Sequence, residues 1–253
     1  MASRLTASLR LLCVTAHPDD EAGNFGGALL QAHAAGVDTR LVCLTAGEAA
    51  RNRGGAASHA ELSALRRAEL QQACTLLQLG QHEAWEYPDS GLVTVEFRAV
   101  ATRLAGVLRA WRPHLVLTMG PEGAMTGHPD HGMVGLLTSA AFHWAASAKI
   151  VAPTPDAPVW QAQRLFYVTA PHGVPHAPSV LLPPVDLALD ITAELDRKIA
   201  AFRLHTTQAP LFDRVETFLR SLHGREFYHL ASAPPGFDKQ RLQSGGMLAG
   251  IAP

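Results

Sequence analysis

The stretch TAHPDDEAGNFGG, residues 15–27, places one histidine, two aspartates and a glutamate between an apolar run and a glycine-rich segment. The apolar run, LRLLCVT at residues 9–15, is typical of a buried strand, and the residues after the stretch are spaced as in a helix. In open α/β sheets, ligands bind beyond the carboxyl ends of the strands, which is where this polar turn falls. The stretch therefore predicts a βα unit that carries a ligand site.

Apolar runs and helical periodicity alternate along the rest of the chain. This order is typical of βαβ units, and it predicts an α/β fold, a Rossmann-like three-layer sandwich with a mainly parallel sheet. We expect strands near residues 9–15, 38–45, 83–87, 114–119, 164–169, 185–191 and 227–231. We expect helices near residues 21–35, 58–79, 95–111, 131–148, 192–205 and 208–222.

The composition favours one large domain with a small-molecule partner. The chain has 253 residues, 47% of them hydrophobic and 17% charged, so we expect residues 1–253 to form a single domain. A formal net charge of -1 without basic runs argues against nucleic acid and against a membrane surface. The final residues 244–253 lack charge and periodicity, which predicts a flexible tail or one that covers the partner subunit of a homo-oligomer.

The cysteines and the N-terminus predict a cytoplasmic protein. Cys13, Cys43 and Cys74 lie in apolar segments without CxxC spacing, as expected for buried thiols in a reducing compartment. The apolar run near the N-terminus has about six residues, which is shorter than the core of a signal peptide or a membrane span.

A second polar turn, GAMTGHPDHGM at residues 123–133, follows another predicted strand and precedes another helix. Turns at the carboxyl ends of two strands of one parallel sheet lie at the same edge, so we expect the two turns to converge. Imidazoles and carboxylates brought together suit zinc or another divalent metal. The alternative for Asp19 or Asp20 is a helix N-cap.

The pairing of AHPDDE at residues 16–21 with GHPDH at residues 127–131 resembles the PIG-L/LmbE-like zinc-dependent N-deacetylases, which remove acetyl groups from N-acetylglucosaminyl compounds. Supporting segments carry the likeness from about residue 9 to just beyond residue 205. The resemblance implies a small glycoconjugate substrate, such as a malate or inositol conjugate of low-molecular-weight thiol synthesis.

The resemblance also implies roles for individual residues. It implies His17, Asp20 and His131 as ligands of Zn2+, with another divalent metal such as Fe2+ as the alternative, and Asp19 as the general base. Three nitrogen and oxygen ligands leave one position of a zinc ion open for water.

Across the implied site, His128 is expected to act as the acid or the oxyanion stabiliser, and Asp130 to hold His128. Some members that act on pseudo-disaccharide thiol precursors carry a tyrosine where this chain has Thr126. If that phenol polarises the carbonyl, this chain must use another donor.

Arg66, Glu48 and Asp89 are candidate substrate-binding residues. The resemblance suggests that Arg66 reaches the substrate, and the alternative is a solvated i, i+3 ion pair with Glu69. Glu48 follows the second strand, where it binds sugar hydroxyls or caps the loop. Asp89, in YPDSG, fits the family pattern and also fits a simple turn.

A glycine-rich loop and a later helix end add further candidates. Arg51, Asn52 and Arg53 are expected to form a mobile lid that recognises an anionic aglycone, or to be a solvated loop. His205 and Gln208 either approach the pocket or have a structural role.

Two other functions compete with deacetylation. In a nucleotide-binding module, GNFGG at residues 23–27 would cradle a phosphate, although the chain has neither GxGxxG after the first strand nor GxxxxGK[ST]. A catalytically silent metal-binding protein would hold zinc without hydrolysing any N-acetyl sugar. Metal analysis and an amine-release assay distinguish the three.

Overall fold

The structure is a computed structural model that describes residues 8–150, 157–172 and 181–252. Within these ranges the strands are β1 (Arg10–Thr15), β2 (Asp38–Thr45), β3 (Gln81–Tyr87), β4 (Leu115–Thr118), β5 (Arg164–Thr169), β6 (Leu187–Asp190) and β7 (Arg225–Ser232). They form one sheet in the order β3-β2-β1-β4-β5-β7-β6. The neighbouring pairs β3–β2, β2–β1, β1–β4 and β4–β5 are parallel, and β7 is antiparallel to both β5 and β6. The mainly parallel α/β sheet is confirmed.

Helices cover both faces of the sheet. They are α1 (Asp20–Ala34), α2 (His59–Leu76), α3 (Phe97–Trp111), α4 (Pro129–Ala145), α5 (Leu195–Arg203), α6 (Phe212–Ser221) and α7 (Arg241–Gly245). Helix α5 contacts α1 and α2 in one layer, and α3 packs on α4 in the other. None of the helices in the described ranges is both long and apolar enough to cross a membrane.

The sheet order creates a crevice beside β1. From β1 the chain proceeds outward to β2 and β3, and then returns to β4 on the other side of β1. Right-handed crossovers therefore send the connections after β1 and β4 to opposite faces, which opens a ligand-binding crevice between them. The two polar turns with the sequence His-Pro-Asp, at residues 17–19 and 128–130, both lie at this switch point. They are called the HPD turns below.

The structure divides the helix predicted at residues 208–222. A 3-10 helix, Thr206–Leu211, comes first, and α6 follows it. Pro210 lies inside the 3-10 segment, where it lacks an N–H and disfavours the α conformation of the residue before it. The regular helix therefore starts only after Pro210.

Residues of the C-terminal segment 244–253, which is predicted to be a flexible tail or to cover a partner subunit, contact the start of β5. Met247 is buried, and the buried Arg164 guanidinium donates to the carbonyl oxygens of Met247 (3.3 Å) and Ala249 (2.8 Å). A buried guanidinium needs acceptors for its N–H groups, and these carbonyls provide them.

Candidate active site

The first HPD turn connects β1 to α1 in an unusual conformation. Asp19, the residue before the helix, has φ 118° and ψ -26°, in the left-handed region that residues with a Cβ rarely adopt. Its side chain makes no capping hydrogen bond, so the N-cap alternative is wrong for Asp19. Asp20 begins the helix, and its Oδ2 accepts a hydrogen bond from the backbone N–H of His17 (2.8 Å). This bond closes the turn and aims the Asp20 carboxylate back toward the end of the strand.

Asp20 lies between two imidazoles that come from the two HPD turns. Its Oδ2 is 3.6 Å from Nδ1 of His17, and its Oδ1 is 3.2 Å from Nε2 of His131. Ligand atoms of His17, His128 and His131 all lie within 4.8 Å of one another. The chemistry of these donors, imidazole nitrogen and carboxylate oxygen, fits zinc or a similar divalent metal.

Asp130 contacts His17, and this differs from the expected arrangement in which it holds His128. Oδ2 of Asp130 is 3.3 Å from Nε2 of His17, and the two carboxylate oxygens also accept the backbone N–H groups of Ser90 (2.7 Å) and Leu92 (3.1 Å). Burial favours a higher pKa for Asp130, but the hydrogen bonds and the charge of His17 outweigh burial and lower it. Asp130 is therefore a carboxylate that fixes the His17 ring.

His128 is linked to Asp130 only through the backbone in the bonds that the structure shows. It is the N-cap of α4, and its Nδ1 accepts the Asp130 N–H (3.2 Å). Its ring centroid lies 4.9 Å from that of His17 and 5.0 Å from that of His131. Burial and the neighbouring charges of His131 and His17 lower the pKa of His128, which favours a neutral ring.

Asp89 and Glu48 are brought to the same edge by the loops after β3 and β2. Oδ1 of Asp89 is 3.1 Å from Nε2 of His17, and its Oδ2 accepts the N–H of Ala49 (2.9 Å). Glu48 accepts the Asp89 N–H (2.8 Å). Burial lowers the pKa of His17, yet its bonds to Asp130, Asp20 and Asp89 hold that pKa well above the ordinary value. Two carboxylates therefore lie at Nε2 of His17, and Nδ1, which faces Asp20, is the ring atom that would bind a metal after losing its hydrogen.

Arg66 holds Asp19 and is not paired with Glu69. The buried Arg66 guanidinium donates to Oδ2 of Asp19 (2.9 Å) and to the carbonyl oxygens of Gly47 (3.2 Å) and Pro18. Burial raises the pKa of Asp19 to about 6 even though Arg66 opposes the rise. Glu69 instead accepts three hydrogen bonds from Thr206 and Thr207. The solvated ion pair offered as the alternative for Arg66 is therefore wrong.

The glycine-rich loop that contains residues 51–53 is hydrogen-bonded to Gln208, in the segment after α5. Asn52 and Gln208 exchange hydrogen bonds of 3.4 and 3.3 Å, and Arg53 donates to the carbonyl of Ala56 within the loop. Asn52 and Arg53 are therefore held by hydrogen bonds, Arg51 is exposed, and the mobile lid stays a prediction. Gln208 also donates to the Thr207 hydroxyl (3.1 Å), which fits the structural role offered for it.

Thr126 stands beside a metal-ligand candidate. Its Oγ1 is 3.2 Å from Nδ1 of His131, so the threonine that stands where some members of the resembled family carry a tyrosine orients this ring and leaves Nε2 facing Asp20. The HPDH motif predicts the histidine, but its spacing does not indicate this use of Thr126.

The glycine-rich start of α1 does not hold a phosphate. The N–H groups of Gly27 and Ala28 both donate to the buried carboxylate of Glu226 (2.7 and 2.9 Å), which also pairs with Lys198 (2.6 Å). The Glu226 carboxylate thus takes the backbone N–H groups that a phosphate would need. The nucleotide-binding alternative therefore loses the phosphate site on which it rested.

Comparison with known proteins matches the chain to a family of deacetylases. A family model described as GlcNAc-PI de-N-acetylase (PIG-L) matches residues 12–142, which include both HPD turns. The 1D-myo-inositol 2-acetamido-2-deoxy-alpha-D-glucopyranoside deacetylase of Mycobacterium sp. (strain JLS) is 30% identical, over 96% of this chain and 90% of the relative.

Solved structures share the fold. A conserved protein from Thermus thermophilus is 26% identical with a TM-score of 0.69, over 91% of this chain and 96% of that one. The N,N'-diacetylchitobiose deacetylase from Pyrococcus horikoshii is 22% identical with a TM-score of 0.73, over 90% and 87% of the two chains.

Proposed function

The chain belongs to the PIG-L family of GlcNAc-PI de-N-acetylases, and from that premise we propose that it is a metal-dependent hydrolase of a small N-acetylglucosaminyl conjugate. One observation carries the proposal. The Asp20 carboxylate lies between ring nitrogens of His17 and His131, and the adjacent Asp19 carboxylate is held by Arg66. A metal-binding group and a base are therefore side by side. The buried free cysteines fit a cytoplasmic enzyme.

We assign the metal to His17, Asp20 and His131, with zinc as the expected ion. Two imidazoles and one carboxylate form a donor set used by catalytic zinc sites. Bound zinc supplies Lewis acidity, which polarises the amide carbonyl and lowers the pKa of water to about 7. Fe2+ accepts the same donors, so metal analysis of the purified protein identifies the native ion.

Asp19 is the general base in this proposal. With a pKa of about 6, its carboxylate is ionised near neutral pH and is still basic enough to accept a proton. It takes one proton from the water whose oxygen attacks the carbonyl carbon. It then gives that proton to the nitrogen as the C–N bond breaks, so that the free amine and acetic acid leave, and the acid releases its remaining proton to become acetate.

His128 is the oxyanion stabiliser rather than the proton donor. Because the Asp130 N–H donates to its Nδ1, the hydrogen of a neutral ring is on Nε2. A neutral Nε2–H can donate to the carbonyl oxygen as negative charge develops there. The lowered pKa of His128 supports a neutral ring in this role.

The proposed substrate is N-acetylglucosamine linked to inositol, the compound named for the mycobacterial relative. Glu48 and Asp89 lie at the sheet edge beside His17, where carboxylates can accept hydrogen bonds from sugar hydroxyls. Arg66 remains a candidate for contact with the substrate, although the bonds in this structure direct it to Asp19.

Amine release from a small panel of substrates tests the proposal. The zinc-loaded protein is assayed with N-acetylglucosaminyl inositol, N-acetylglucosaminyl malate and free N-acetylglucosamine. The proposal expects the highest kcat/KM for the inositol conjugate. A higher kcat/KM for the malate conjugate would change the proposed aglycone and leave the proposed reaction as it is. A protein that binds zinc and releases amine from none of them would be a silent metal-binding protein.

A further inference from the structure

Asp19 is held in its left-handed conformation by a residue that the proposed reaction does not use. The Asp19 N–H donates to Oε2 of Glu21 (2.9 Å), two residues later. Left-handed backbone in a residue with a Cβ is energetically costly, and it persists only where the surroundings enforce it. Glu21 makes the hydrogen bond that fits this conformation.

Glu21 is in turn fixed by His205. Oε1 of Glu21 is 2.7 Å from Nε2 of His205, and both side chains are 0% exposed. Because an ionised carboxylate can only accept, Nε2 of His205 donates. The pair is therefore a buried contact between α1 and the segment after α5, 184 residues apart in the chain.

The residues after His205 contact α2, the helix whose Arg66 binds the side chain of Asp19. Thr206 and Thr207 donate to Glu69 on α2, one helical turn from Arg66. Arg66 binds the Asp19 carboxylate. One short segment, residues 205–207, thus contacts both α1, which begins directly after Asp19, and α2, which carries Arg66.

We propose that Glu21 and His205 are positioning residues for Asp19, which keep its peptide left-handed and its carboxylate beside Asp20. The proposal rests on the proposed role of Asp19 as the general base. Neither side chain is accessible to a substrate, so each acts only through Asp19. A displaced base costs turnover steeply, because shifts of about 1 Å in reacting groups reduce rates by about 100-fold.

Substitution of His205 tests the proposal. His205→Leu removes the donor, and His205→Gln keeps an N–H that can reach Glu21. We expect His205→Leu to lower kcat about 10- to 100-fold, with KM and the zinc content per chain unchanged within about twofold. We expect His205→Gln to recover most of the loss. Tyr228→Phe, which removes a hydrogen bond to the buried Glu226 beside α1, is the matched control and should keep full kcat.

A double-mutant cycle separates positioning from general support of the fold. In an Asp19→Asn background, His205→Leu should cost less than about twofold in residual kcat, because the base that it positions is already absent. An equal loss in both backgrounds would overturn the proposal. If His205→Leu does not fold, Glu21→Leu, which removes the acceptor of the Asp19 N–H, replaces it in the cycle, and Glu21→Gln, which keeps an acceptor, is its conservative variant.

Crystal structures of the zinc-loaded variants give a readout that does not depend on activity. We expect Asp19 to leave the left-handed region in His205→Leu and to keep it in His205→Gln. Retention of φ near 118° in His205→Leu would overturn the positioning role even if kcat falls. Failure of the wild-type protein to release any amine would instead refute the proposed function.

Discussion

Nε2 of His17 lies 3.3 Å from Oδ2 of Asp130, although 113 residues separate them in the chain. The contact joins the two HPD turns, which come from neighbouring parallel strands, β1 and β4. A carboxylate on the outer nitrogen of a metal-binding histidine fixes the tautomer and the ring orientation. Asp130 thus links the second turn to His17, the proposed metal ligand of the first.

Asp130→Ala should weaken zinc binding by about 10- to 100-fold, because the His17 ring loses the acceptor that orients it. A competition titration with a chelating dye measures the dissociation constant. Asp130→Asn keeps one acceptor oxygen, so its dissociation constant for zinc should lie between those of the wild-type protein and Asp130→Ala. Wild-type affinity in Asp130→Ala would show that Asp89 alone orients His17.

Arg66→Met should reduce kcat by about 100-fold and change KM only a few-fold, because Arg66 holds the base. Asp19 acts when ionised, and the Arg66 cation stabilises that ionised form. Its loss therefore raises the pKa of Asp19 above about 6, and the acidic limb of kcat/KM moves to higher pH. A rise in KM confined to conjugates with an anionic aglycone would instead place Arg66 on the substrate.

His128→Ala should lower kcat by about 100-fold and leave both limbs of the pH profile in place, because a neutral ring donates a hydrogen bond without titrating in the cycle. The pH dependence of kcat/KM in the wild-type protein and the variant measures this. Disappearance of the basic limb would identify His128 as the general acid.

Removal of residues 246–253 should lower the free energy of unfolding by about 3 kcal/mol, because Met247 leaves the core and the Arg164 guanidinium loses two acceptors. Urea denaturation measures the loss. The control is Gln163→Ala, which loses an exposed contact with Ala252 and should cost no more than about 0.5 kcal/mol. A truncated protein as stable as the full chain would mean that the packed tail contributes nothing.

The sequence predicts that the two HPD turns converge, because polar turns at the ends of neighbouring parallel strands share one edge. The family resemblance, and not this rule, implies His17, Asp20 and His131 as metal ligands, and the structure brings these three residues together. Local patterns also predict the first and last residues of β2 and β5 correctly, because the apolar runs of these strands end in turns.

Partners of the buried side chains could not be predicted from the sequence. Asp130 is next to His128 in the motif, yet its carboxylate is satisfied by His17 and by a loop 40 residues earlier. Glu21 and His205 meet across 184 residues, and no period in the sequence records that contact. Such pairings depend on how the layers pack, which local patterns do not encode.

Zinc content and amine release, measured on the same samples of the wild-type protein, His17→Ala and Asp19→Asn, test the central claim most directly. The wild-type protein should hold one zinc per chain and release amine, and His17→Ala should lose both. Asp19→Asn should keep its zinc and turn over at least about 100-fold more slowly, because Asp19 moves a proton and is not a ligand. Equal loss of zinc in both variants, or a zinc-loaded wild-type protein that releases no amine, would contradict the claim.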